Sequence, residues 1–413
     1  MRVLTPALRS YPWGSKTLLA NLRGSAASAV KEAELWYGAH PQAPSTLVDT
    51  PLDEVIASDP QGQLGADVAK IFTNELPFLL KLLAADEPLS LQAHPTKAQA
   101  QAGFQAETAA GIAMTAADRN YRDPNHKPET IIALTEFSAL VGFRPLARTR
   151  ELFAELRCPA LAHYLPLASA DDASAESEAS ALRALFTTWI TIPTATRREL
   201  VAAVIQACET LVERAATGDT PPAWMVEVAA SLISINERYP GDVGVLGAML
   251  LNKVTLAPGE ALFLGAGQLH AYVHGLGVEI MANSDNVLRG GLTSKHVDVP
   301  ELVKVLDFHP LADPYIHPTE TAGLTTYPVP VEEFTISHCR PSATPTQQLT
   351  IAEPGPHVMV CTTGAITITT AANERVTLAP TEAVWIPASD GEFSVAGHGE
   401  GFLAGVPAAA DRS

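Results

Sequence analysis

The sequence predicts a mainly β protein carrying a helical insertion, with two β units of one kind on either side of an all-α stretch. Three observations lead there. Residues 254–261, V-T-L-A-P-G-E-A, are nearly duplicated by residues 376–383, V-T-L-A-P-T-E-A. In each copy a strand-like run, a proline turn and a second apolar run follow one another, which points to two similar β-barrels. Short apolar and β-branched segments bounded by Pro, Gly and Asn dominate the chain outside residues 146–250, and inside that stretch the apolar period becomes helical.

The elements follow in order. Tyr11-Pro12-Trp13-Gly14 is a turn, residues 34–38 a strand entering a loop, residues 64–72 a short helix, and the apolar block 78–83 a strand by its length. Residues 96–122 are alanine-rich helix and connecting loop. The proline-bounded turn 123–128 then delivers Glu129 into the β-branched run 130–132. In the insertion, Leu200, Val201, Val204, Ile205, Cys208, Leu211 and Val212 repeat at helical spacing, and residues 224–235 do so again after Pro221-Pro222. Between residues 146 and 200, the Ala/Ser/Asp/Glu run 168–181 reads as a mobile acidic loop.

Composition narrows the function. With 413 residues the chain exceeds what one core usually supports, and 47% of it is apolar without any uninterrupted run of membrane-spanning length. The first ten residues lack the apolar block of a signal peptide. Four scattered cysteines, Cys158, Cys208, Cys339 and Cys361, contain no CxxC pair and suit buried thiols in a reducing cytoplasm. A net charge of −18 argues against nucleic acid as a partner. An anionic substrate would need a locally basic pocket on this acidic chain.

The stretch with the most chemistry is L-S-L-Q-A-H-P-T-K at residues 89–97. On a strand, Gln92 and His94 project to one face, which makes half a metal site. Glu129 at a strand edge and His270 at another complete an N2O2 set of the kind that zinc accepts. His126 competes as a ligand from the preceding loop, His40 is ambiguous, and His274 is separated from His270 by what Gly275 and Gly277 make a turn. In the run 279–295, Arg289 before Gly290-Gly291 allows close backbone approach to a ligand, and Arg289 with Lys295 suits an oxyanion. Ser90, Lys97 and Lys127 stand near the metal strands as further donors. The two β copies differ here: ten residues past Glu260 is His270, but ten past Glu382 is Glu392. The first unit is therefore the working one.

Several long motifs, in order, carry a family resemblance: Tyr11-Pro-Trp-Gly14, Ala33-Glu-Leu-Trp36, Gly38-Ala-His-Pro41, Leu91-Gln-Ala-His-Pro95, Asp123-Pro-Asn-His-Lys-Pro-Glu129, Gly142-Phe-Arg144, Gly267-Gln-Leu-His-Ala-Tyr272 and the run from Asn283 to Lys295. The chain resembles the type I mannose-6-phosphate isomerases (phosphomannose isomerases), zinc enzymes of the cupin superfamily. The resemblance implies two cupin-type jelly-roll β-barrels plus an α-helical domain. Residues 1–145 and 251–320 would form the catalytic barrel, 146–250 the insertion, and 321–413 a metal-free cupin-like β domain. It implies one Zn2+ per chain on Gln92, His94, Glu129 and His270, an active-site arginine at Arg289, and pocket groups at Tyr272, Glu279 and Lys295.

The implied reaction interconverts mannose 6-phosphate and fructose 6-phosphate by proton transfer through a cis-enediol. Glu279, Lys295, Lys127 and Asp285 are the candidate bases, and Ser90, Lys97 and Tyr272 candidate substrate contacts. A metal cupin oxygenase is disfavoured by Gln92 and the phosphate-type donors; a non-catalytic sugar-phosphate-binding cupin is the other alternative. The expected partner is a sugar phosphate, with no membrane or nucleic acid, in a cytoplasmic monomer or weak homodimer.

Overall fold

The computed structural model describes residues 1–170, 174–321, 323–341 and 348–408. Sheet dominates, and one strand organises it. His270–Ala282, 13 residues long, pairs antiparallel with Phe78–Ala85 on one side and Glu129–Ala133 on the other over its C-terminal half. Its N-terminal end turns instead to Phe137–Phe143 and Leu91–Ala93, with His270 opposite both Val141 and Gln92. The change of partner falls at a register shift between Tyr272 and His274, followed by Gly275 at φ 129°. A Cβ at Gly275 would lie 2.7 Å from Glu136 O, so only glycine permits this bend. It lets one strand serve two faces of an 11-stranded sheet.

Period 2 sorts the two faces. Leu35 and Tyr37, Leu80 and Leu82, Val278 and Ile280 enter one core, which also contains Ile336, Val358, Val360 and Trp385 from a seven-stranded C-terminal sheet. The opposite face carries Trp36, Lys81 and Glu279 in register across three strands. A charged row on a strand face that is fully enclosed needs internal partners, and that row becomes the floor of the site. Arg2–Leu4, at the start of the chain, pairs with Ala383–Ile386 of the C-terminal sheet.

The octet repeat is a repeat of local structure. Leu251–Leu256 leads to Ala261–Leu264, and Arg375–Leu378 leads to Ala383–Ile386. In both turns the glutamate carboxylate accepts from a backbone N–H three residues earlier, Glu260 from Ala257 and Glu382 from Ala379, each at 2.8 Å. Gly259 and Thr381 occupy the same turn position with positive φ.

Helices Leu146–Leu156, Ala175–Ile190, Thr194–Ala216, Ala223–Arg238 and Gly244–Met249 pack on Leu91, Phe143, Leu251 and Leu288 of the sheet. The expected stripe from Leu200 through Leu211 is buried, with Val212 half-buried at its edge. Two expectations need correction. Residues 174–181 are not a loop: Ser174 caps helix Ala175–Ile190 by accepting from Ser177 N, and Glu176 and Glu178 suit the positive end of its dipole. Residues 171–173 of that run lie outside the described residues, as do 322, 342–347 and 409–413 of the C-terminal segment. The single helix expected at 64–72 is the last of three short ones, Leu52–Ser58, Pro60–Leu64 and Ala66–Ile71, separated at Asp59 and Gly65. No helix among the described residues is long and apolar enough to cross a membrane. All four cysteines are buried free thiols.

Candidate metal centre

Strand Leu91–Ala93 brings Gln92 and His94 to the edge of His270–Ala282, and the chain is pinned immediately after His94. Gly267 N donates to His94 O at 2.8 Å, while Pro95 leads into helix Lys97–Ala109, closed by a capping box of Thr96 and Gln99. Glu129 opens its strand directly opposite Met281. The result is one cluster: His94 Nε2 and His270 Nε2 lie 3.4 and 3.3 Å from Glu129 Oε2. Among the described residues, ligand atoms of these three side chains all lie within 4.8 Å of one another.

The hydrogen-bond pattern leaves ligand-type atoms that could hold a cation. His94 Nδ1 is bonded to Asn286 O at 2.6 Å and His270 Nδ1 to Gln268 O at 2.9 Å. A carbonyl can only accept, so each Nδ1 carries a hydrogen, which leaves Nε2 as the ligand-type atom turned inward. Burial lowers His94 to about 4, against the opposing pull of Glu129, so its ring is neutral at pH 7. The close approach of His94 to Glu129 is therefore not an ion pair but a lone pair facing a carboxylate. His94 Nε2 is buried without a hydrogen-bond partner. Burial pushes the Glu129 carboxyl up, but the Lys127 ammonium leads the opposing influences, and the carboxyl ends well below the usual range. Lys127 Nζ stands 3.0 Å from Glu129 Oε1. Gln92 commits its amide nitrogen to Ser90 Oγ at 3.1 Å, which leaves the amide oxygen as its ligand-type atom. Two imidazole nitrogens, a carboxylate and an amide oxygen fit zinc.

The cluster lies in a cavity of about 210 Å³, also lined by Ser90, Lys127, Tyr272, Glu279, Asp285 and Lys295. Nine of the residues expected from sequence thus line one cavity, with His94 fully buried beside it. Arg289 lines a second, adjoining cavity, joined through Ser90, Gln92 and Lys295. Lys97 lines neither; its Nζ donates to Asn125 Oδ1 at 2.5 Å at the start of its helix. Among the other histidines, His126 Nε2 meets Glu333 at 2.6 Å, His274 is exposed, and His40 lies 3.5 Å from Asp285.

Part of the polar run 283–286 serves the ligands rather than a substrate. The Asn286 side chain donates to Asp123 O and Asn125 O and accepts from Arg122 N, while Ser284 donates to Asp123 Oδ1. This clamp fixes the carbonyl that orients His94. Sequence reasoning missed the cavity floor, where Lys81 Nζ lies 2.7 Å from Glu279 and 3.6 Å from Glu34. Burial alone would lower Lys81, but Glu279, Glu34 and Glu129 raise it overall. Burial raises Glu279 against the pull of Lys81. The lone lysine in the apolar strand F-L-L-K-L-L-A-A was the available signal. Above the floor, the buried Tyr272 hydroxyl has no hydrogen-bond partner among the described residues, and burial with the nearby Glu279 and Glu129 charges raises it well above the usual range.

Residues 1–146 match the family model for phosphomannose isomerase type I, catalytic domain. The mannose-6-phosphate isomerase of Escherichia coli K12 is 37% identical over 409 residues, 97% of this chain and 98% of the relative. The chain belongs to the type I mannose-6-phosphate isomerases. Within this isomerase family the human member is 32% identical, across 89% of this chain and 88% of its own. A crystal structure of mannose 6-phosphate isomerase bound with zinc and yttrium superposes with a TM-score of 0.86 at 34% identity, covering 99% of this chain and 100% of that one. A second isomerase structure, described as holo and zinc bound, gives 0.86 at 33%, covering 98% and 99%.

Proposed function

We propose that this protein is a zinc-dependent aldose–ketose isomerase that interconverts mannose 6-phosphate and fructose 6-phosphate. The observation that carries this reading is the convergence of the His94, His270 and Glu129 lone pairs in a cavity that adjoins a cationic one. His94, His270, Glu129 and Gln92 would hold the metal. Zinc held there would supply Lewis acidity toward the negative charge that develops on the sugar oxygens.

The chain's own groups do the rest. Arg289 and Lys295 take the phosphate from the adjoining cavity, with Ser90 on the shared wall. Arg289 also stabilises charge as the ring opens. Proton transfer between C2 and C1 belongs to a group on the cavity wall. Asp285 is engaged by Gln42 and His40, and Lys127 by Glu129. Glu279 is the favoured base: burial raises its carboxyl against the pull of Lys81, and its conjugate acid can return the proton it accepts. The buried Tyr272 hydroxyl, near Glu279 on the cavity wall, donates to a substrate oxygen.

The architecture assigned here is a pair of cupin-type jelly-roll barrels, the catalytic one built from residues 1–145 and 251–320 and interrupted by a helical domain at 146–250. A metal-free barrel follows from 321. The protein acts in the cytoplasm as a monomer or weak homodimer. The test is conversion of mannose 6-phosphate to fructose 6-phosphate by purified protein before chelation, after it, and with zinc restored. Activity that disappears and returns with the metal supports reaction and metal together. A folded, zinc-loaded protein without turnover refutes the isomerase reading and favours sugar-phosphate binding alone.

A further inference from the structure

The cavity beside the metal centre holds about 580 Å³ and is walled from two directions. Arg289 and Lys295 come from the sheet side, whereas Arg197 and Arg198 come from the start of helix Thr194–Ala216 in the helical segment. The two sides are held at fixed spacing. Asp242 Oδ1 accepts from both Gly244 N and Leu292 N, at 2.7 and 2.8 Å, and a Cβ on Gly291 would come within 2.6 Å of Gly244 Cα. Helical segment and Arg289 turn therefore meet without slack.

The charges in this cavity do not balance. Among the described residues, no carboxylate lies within 4.0 Å of Arg197, Arg198, Arg289 or Lys295, although the chain carries a net charge of −18. Asp242, the acidic residue in the lining, spends Oδ1 on the two backbone donors. Arg238, also in the lining, is different, because Glu87 already pairs with it. Arg197 is half-buried, and its Nε is shielded from water without a hydrogen-bond partner. Helix Thr194–Ala216 also has no acidic residue in its first turn, so the arginines add to its positive dipole end rather than offset it. Cations gathered at this cost need an anion to face them.

We infer that Arg197, assisted by Arg198, is a specificity-determining residue of the isomerase: the helical segment supplies one side of the phosphate site and makes the enzyme prefer a phosphorylated hexose. This inference rests on the isomerase reading for its substrate and on the unbalanced cavity for its geometry. The guanidinium donates to the phosphoryl oxygens opposite Arg289 and Lys295, at a distance from the reacting carbons. Arg197 thus contributes to ground-state and transition-state binding alike and is felt in KM.

The experiment compares wild type, Arg197→Gln, Arg197→Lys and Arg238→Gln, each zinc-loaded. Loss of one charge-assisted contact should raise KM for mannose 6-phosphate roughly 10- to 100-fold in Arg197→Gln. Expected alongside are less than about a 3-fold fall in kcat, unchanged turnover of unphosphorylated mannose, partial rescue in Arg197→Lys, and no change in Arg238→Gln. Orthophosphate affinity by calorimetry should fall in parallel. An Arg197→Gln enzyme with wild-type KM and wild-type orthophosphate affinity overturns the inference. If wild type fails to isomerise mannose 6-phosphate, the isomerase reading fails, and the orthophosphate titration still decides whether Arg197 binds phosphate.

Discussion

Replacing Glu279 by Gln at the cavity floor tests how the buried charges there are held. Lys81 and Glu279 have side chains 6% and 3% exposed and meet at 2.7 Å; Glu34, 8% exposed, stands 3.6 Å away on the other side. Removing one member of a buried pair usually costs about 3–5 kcal/mol, because the partner charge stays behind. Here Glu34 retains part of the attraction and the glutamine oxygen can still accept from Lys81, so about 2–4 kcal/mol is expected. Lys81→Met should cost more, since it strands two buried carboxylates instead of one cation.

The penalty in Lys81→Met should also depend on pH with a definite sign. Without the lysine, the Glu279 carboxyl loses the pull that opposes its burial and is raised further in the folded state, so the folded protein holds a proton that the unfolded chain releases above about pH 4.5. Stability relative to wild type should fall as pH rises from 5 to 8. The assay is urea denaturation at saturating zinc, because unequal metal occupancy would shift the midpoints by itself. A Glu279→Gln cost under about 1 kcal/mol, or a Lys81→Met cost below it, would refute the account of a dry, charge-balanced floor.

Two further outcomes are expected. Tyr272→Phe removes a buried hydroxyl that makes no hydrogen bond within 3.5 Å among the described residues, so it should leave stability unchanged or slightly higher while lowering kcat/KM about 10-fold or more; thermal melts beside steady-state kinetics check both halves. His357, buried in the C-terminal sheet, has its pKa lowered to about 4, chiefly by burial. Its stabilisation is complete above the unfolded value near 6.5 and is lost as pH falls towards 4, about 3 kcal/mol in all. A His357→Leu variant should show a correspondingly shallower loss of urea stability between pH 6.5 and 4.

Local pattern carried much of this protein. The i, i+2 spacing of Gln92 and His94, the helical period from Leu200 to Leu211 and the twin turns at Glu260 and Glu382 are properties of neighbouring residues, and the fold uses each as its sequence implies. The acidic run 168–181 misled because composition without period does not separate a loop from a capped helix; the cap at Ser174 decided it. Pairings between distant segments needed the tertiary structure. Lys81 meets a residue 198 positions away, and His94 takes its orientation from the Asn286 carbonyl 192 positions on. Neither pairing leaves a trace in local spacing. Tertiary structure also separated Arg289 from the metal cavity and brought Arg197 to face it across a second one. That His94, Glu129 and His270 belong together was legible because metal chemistry restricts which residue types serve. The balance of charge was not, because burial and distance set it, and those exist only once the chain has folded.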